Sequence, residues 1–119
     1  MKNAIVNKMR DISNRDYFVF SLSCTVCGKI WTSSPIPFSK AGEQVGSEEK
    51  KIVYEALYQR ERYQAARKAV EEATSQFNYC PVCKSLICDN CFMICDDIDM
   101  CIDCAKTLHE SGEVVALSM

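Results

Sequence analysis

Eight of the nine cysteines in this 119-residue sequence form four pairs, Cys24/Cys27, Cys80/Cys83, Cys88/Cys91 and Cys101/Cys104, each with two intervening residues. That spacing lets the chain turn sharply, so that both sulfurs face one ion at about 2.3 Å. Eight thiolates would fill two tetrahedral zinc sites with four cysteines each, and the expected cofactor is zinc, two ions per chain. Protein sulfur at all four corners leaves no bound water to activate, so the expected role is structural and no catalytic residue is assigned. The ninth cysteine, Cys95, reads as a small buried hydrophobe, and the sole histidine, His109, reads as a surface residue after the last pair. No HExxH, GxSxG or phosphate-binding loop occurs, and the chain is not expected to be an enzyme. A redox dithiol is the catalytic alternative, but it needs a thioredoxin-like βαβ setting that the sequence does not display.

Composition agrees with a metal-organised small domain. The net charge is −2, and no apolar run approaches the roughly 20 residues of a membrane-spanning helix. Arg10, Asp11, Arg15 and Asp16 interrupt the stretch where a signal peptide would need apolar residues, so a cytoplasmic protein without membrane contact is expected. In that reducing compartment, paired cysteines point to metal rather than to disulfides. Residues 78–104 carry Lys84 against Asp89, Asp96, Asp97, Asp99 and Asp103, and each four-thiolate zinc centre adds a formal −2. Such a surface repels a phosphate backbone, so nucleic acid is not the expected partner. The alternative, a nucleic-acid-binding or transcription-associated zinc ribbon, draws on Trp31, Phe38 and the basic excess of residues 1–46.

Three segments must position the cysteines: residues 1–46 with the first pair, residues 47–78 as one long helix, and residues 79–119 with the other three pairs. In the first, Ile5, Val6, Met9 and Ile12 share a helical face over residues 2–12, and YFVFSLS (17–23) reads as a strand. KIW returns as a second strand, and the prolines make SSPIPFSKAG a loop. Residues 47–77 lack Gly and Pro, open on Ser47 as N-cap, and place Glu48 and Glu49 where the helix dipole favours anions. Ile52, Ala56, Gln59, Tyr63, Ala66, Val70, Ala73 and Phe77 recur at spacings of four and three, a heptad seam. The seam either packs on its own domain or offers Ile52, Ala56, Tyr63, Ala66, Val70, Ala73 and Phe77 to a protein partner or a second copy.

The run YCPVCKSLICDNC leaves four residues between the second and third pairs, and nine more precede Cys101, Cys104 and a helix-like AKTL. This pattern resembles the second half of FYVE-type and related cross-brace, or treble-clef, double zinc fingers. The resemblance implies that alternate pairs share an ion, grouping Cys24, Cys27, Cys88 and Cys91, then Cys80, Cys83, Cys101 and Cys104. It covers residues 80–106 and the first pair. The family's lipid-binding basic run is absent, since Gln76, Phe77, Asn78, Tyr79 and Pro81 stand there, with Asp99 near the fourth pair. A RING finger would place histidine among the ligands, and none is present. A sequential arrangement competes, with Cys24, Cys27, Cys80 and Cys83 forming a zinc ribbon and Cys88, Cys91, Cys101 and Cys104 a second site.

The expectation is thus a small α+β zinc-binding domain with two four-cysteine sites, short β-hairpins and a long inserted α-helix. Its expected function is a structural zinc-binding module for protein–protein interaction or assembly. Phe92, Met93, Ile94, Ile98 and Met100 would cover the sites or form a second docking patch.

Overall fold

The computed structural model describes residues 1–117. In chain order the elements are α1 (Lys2–Lys8), β1 (Arg10–Asp11), β2 (Tyr17–Phe18), β3 (Phe20–Ser23), β4 (Ile30–Thr32) and β5 (Ile36–Pro37). The long helix α2 (Glu48–Thr74) follows, then β6 (Asn78–Cys80), β7 (Ser85–Ile87), β8 (Phe92–Cys95), β9 (Met100–Cys101), α3 (Ile102–Thr107), β10 (Gly112–Val114) and a 3-10 turn (Val115–Leu117). Every strand pairing is antiparallel: β1-β3-β4, β10-β8-β9, β2-β5 and β6-β7.

Helix α2 forms where its sequence dictates. The Ser47 hydroxyl accepts from the Lys50 amide at 3.2 Å, closing the first turn behind two glutamates. At 27 residues it is about 40 Å long and runs much of the 64 Å long axis of the molecule.

Two apolar clusters line it. Along its middle, Tyr58, Ala65 and Ala69 pack on Phe18, Phe20 and Phe38, with the Tyr58 ring 5.0 Å from Phe18 and 5.1 Å from Phe38. Arg15 closes this aromatic group by stacking its guanidinium 3.9 Å from the Tyr58 ring while pairing with Glu55 at 3.1 Å. Toward its end, Val70, Ala73 and Phe77 join Ile5, Leu22, Leu86, Ile87, Phe92, Met100 and four cysteines in the second cluster. Glu61 and Glu72 reach sideways to Ser39 and Ser34, fastening the proline-containing segment to the helix.

The heptad seam therefore divides. Val70, Ala73 and Phe77 are 8%, 0% and 5% exposed within the chain's own core and offer a partner no surface. Ala66 is half-buried beside the aromatic cluster, whereas Ala56 is exposed and Ile52 and Tyr63 are 72% and 65% exposed. A strict seven-residue repeat drifts about 20° per heptad on a straight helix, and α1 meets α2 near its C-terminal end, where Ile5 packs with Val70 and Ala73 and Lys2 pairs with Glu71.

Two other expectations are corrected. The first helix ends at Lys8, because Met9 turns extended and Arg10 and Asp11 pair with Ser21 and Phe20; Val6 and Ile12 are consequently exposed while Ile5 is fully buried. The segment expected to be wholly loop contains β5, in which Ile36 and Pro37 oppose Phe18 and Tyr17. Proline is accommodated there because β5 is an edge strand and needs no amide on its free side.

Candidate metal centres

Three of the CxxC pairs sit at turns and the fourth at a helix start. Cys24 and Cys27 lie at the turn between β3 and β4, and Cys80 and Cys83 at the turn between β6 and β7. These two knuckles share one backbone solution: the Gly28 amide donates to the Cys24 carbonyl at 2.9 Å, and the Lys84 amide to the Cys80 carbonyl at 2.7 Å. The residue after the second cysteine must then be left-handed, with φ +75 at Gly28 and φ 58 at Lys84. Cys88 and Cys91 flank the turn from β7 to β8, while Cys101 and Cys104 belong to the start of α3. The Cys101 sulfur also caps that helix, accepting from the Cys104 amide at 3.4 Å.

The fold brings these pairs together alternately. Cys24, Cys27, Cys88 and Cys91 form one group and Cys80, Cys83, Cys101 and Cys104 the other, with all sulfurs of a group within 4.8 Å of one another. The sequential pairing is thereby excluded. A tetrahedron with 2.3 Å metal–sulfur bonds has edges of about 3.8 Å. The sulfur separations are 3.7 Å for Cys27–Cys88, 3.9 Å for Cys80–Cys104 and 3.9 Å for Cys83–Cys101. They match those edges and are far beyond a disulfide bond.

The groups repeat a pattern of amide-to-sulfur bonds. The Cys88 amide donates to the Cys24 sulfur at 3.4 Å, and the Cys101 amide to the Cys80 sulfur at 3.4 Å. Burial opposes ionisation of Cys24 and Cys80, yet backbone amides around each sulfur bring both thiols down to about 7. Cys91 and Cys104 are pushed strongly upward, first by burial and then by the neighbouring thiols that compete with them. All four sulfurs of a group could ionise together only with a cation between them, and a divalent ion bound by four sulfurs would fit both the geometry and the charge.

The two centres are coupled through shared backbone. Thr25 in the first knuckle donates to the Leu86 carbonyl of β7 at 3.1 Å, and the Ile102 amide of α3 donates to the Cys91 carbonyl at 2.8 Å. Leu86 and Ile87, between the second and third pairs, are buried at the junction.

Cys95 and His109 belong to neither group. Cys95 is half-buried on β8 opposite Gly112, and its amide donates to Asp99 at 3.1 Å. His109 is exposed at φ 57, in the left-handed turn that ends α3. Of the apolar residues between the last two pairs, Phe92 and Met100 are buried against the centres and Met93 partly so, whereas Ile94 and Ile98 are 45% and 52% exposed. The structural importance of Gly28 and Lys84 was not part of the cysteine pattern; the signal available was their matching position after the second cysteine of a knuckle.

No helix among the described residues is long and apolar enough to cross a membrane. Comparison with protein-family models, with curated proteins and with solved structures gave no match.

Proposed function

We propose that this chain is a structural two-zinc module, built as a treble-clef-like cross-brace, whose task is to hold a long helix for protein–protein interaction or assembly. The observation that carries this reading is the pair of interleaved four-cysteine groups, each with all four corners occupied by protein sulfur. Zinc is the ion best suited to four thiolates in a tetrahedron, and it would contribute folding free energy on the order of 10 kcal/mol per site. Lacking an open coordination position, such centres supply rigidity rather than chemistry, so the chain is not assigned an enzymatic activity. Both ends of the segment that contains α2 are fastened to metal centres, at Cys27 and at Cys80, which fixes the helix relative to the finger. The side of α2 turned away from the domain stays free, with Ile52 and Tyr63 as its large exposed apolar side chains. A reducing compartment such as the cytoplasm suits eight thiolates.

Metal analysis of the purified chain and of two variants tests the reading. The wild type is expected to hold two zinc ions and Cys95→Ser likewise two, whereas Cys83→Ser loses one ion and melts at lower temperature. Unchanged zinc content in Cys83→Ser, or steeply salt-dependent retention on heparin, would overturn it, the latter in favour of the nucleic-acid alternative.

A further inference from the structure

We infer that the free face of α2 is an antiparallel homodimer interface, with a second copy of this chain as its occupant. The inference rests on the interaction-module reading above and names the partner. Read along the side of α2 turned away from its own domain, the surface runs Glu49, Ile52, Ala56, Gln59, Tyr63, Arg67. Glu49 and Arg67 are eighteen residues apart, about five helical turns, so they lie on one line along the helix. Both are exposed, and among the described residues neither has an ion-pair partner within the chain.

The order of these side chains is complementary to its own reverse. A twofold axis crossing the helix near position 58 sets Glu49 opposite Arg67 of the partner subunit. The same axis sets Ile52 against the partner subunit's Tyr63 and Ala56 against the partner subunit's Gln59. The midpoints of these three pairs, 58, 57.5 and 57.5, coincide within one residue. One rotation therefore satisfies two charge pairs and two apolar pairs at once, as an isologous interface requires. A parallel alignment in register would instead stack Glu49 on Glu49 and Arg67 on Arg67. Ala56 near the axis lets the backbones approach closely, and Tyr63 and Ile52 supply apolar contact on either side of it.

Sedimentation equilibrium of the full zinc-loaded chain, across the micromolar range, tests the inference with Glu49→Arg, Arg67→Glu and the double exchange. Both positions are exposed and both replacements are good helix formers, and zinc content and helicity are measured alongside. The wild type is expected to dimerise reversibly. Each single variant places like charges at both symmetry-related contacts and weakens the dimer on the order of tenfold. The double exchange restores the opposite charges and returns affinity to within about threefold of wild type. A wild-type monomer that carries both zinc ions overturns the homodimer while leaving the zinc module intact. Single variants with undiminished dimerisation, or a double variant weaker than either single one, overturn it as well. A wild type that dimerises with this charge pattern but binds no metal supports the interface and overturns the zinc reading beneath it.

Discussion

Phe77→Ala and Tyr63→Ala remove aromatic rings from two positions of the same heptad seam, and the structure assigns them opposite consequences. Phe77 is 5% exposed, meets Trp31 edge-to-face at 6.2 Å, and belongs to the cluster that contains the buried cysteines. Truncating such a ring costs about 3–5 kcal/mol, from lost transfer free energy and from the cavity left behind. Tyr63, 65% exposed, touches neither cluster, and its truncation in the monomer changes stability by about 0.5 kcal/mol or less. At about 2.1 cal/mol/K per residue, 119 residues give an unfolding entropy near 250 cal/mol/K. Phe77→Ala should therefore lower Tm by roughly 12–20 °C and Tyr63→Ala by about 2 °C at most. Thermal unfolding at fixed free zinc, and at a protein concentration low enough to keep the chain monomeric, measures both. Equal shifts in the two variants would refute the division of the seam into a core half and a free half.

Other positions give sharp expectations. In the two knuckles, Lys84→Gly should stabilise by about 1 kcal/mol and Gly28→Ala destabilise by a similar amount, since both sites are left-handed; denaturant midpoints read the opposite signs. Gly112→Ala should lower stability by about 1–3 kcal/mol in the same assay, because a Cβ there would collide with the Ile94 carbonyl and lie 3.0 Å from the Cys95 sulfur. Ser47→Ala removes the hydroxyl that caps α2 and should cost about 1 kcal/mol, with fraying of the first turn visible in amide exchange around Lys50.

The parts of the fold that follow local rules were legible in the sequence. Cysteine spacing marked all eight members of the two groups, because a CxxC knuckle is encoded within a few residues. Ser47, two glutamates and a run without Gly or Pro marked the start of α2 to the residue, whereas the helix stops at Thr74, short of the expected position 77, where Phe77 turns into the core. Alternate pairing of the cysteines came from the resemblance to cross-brace fingers, since the residues alone left the sequential arrangement open.

What the sequence concealed depends on neighbours distant along the chain. Periodicity placed Ile52 and Phe77 on one seam, but only the positions of α1 and the β2–β5 ribbon decide which half is covered. The actual contact stripe uses Tyr58, Ala65 and Ala69, whose partners Phe18, Phe20 and Phe38 lie far upstream. Likewise, Met9 leaves the helix because Arg10 and Asp11 gain ladder bonds to β3, a tertiary gain that local helical pattern does not register.

The central claim is that the four pairs alternate between two metal ions. Loading the chain with spin-active cadmium in place of zinc and correlating each metal resonance with cysteine Hβ protons reads ligand identity ion by ion. Two resonances are expected, one coupled to Cys24, Cys27, Cys88 and Cys91 and the other to Cys80, Cys83, Cys101 and Cys104. A resonance coupled to both Cys24 and Cys80, or a single bound ion, would contradict the account.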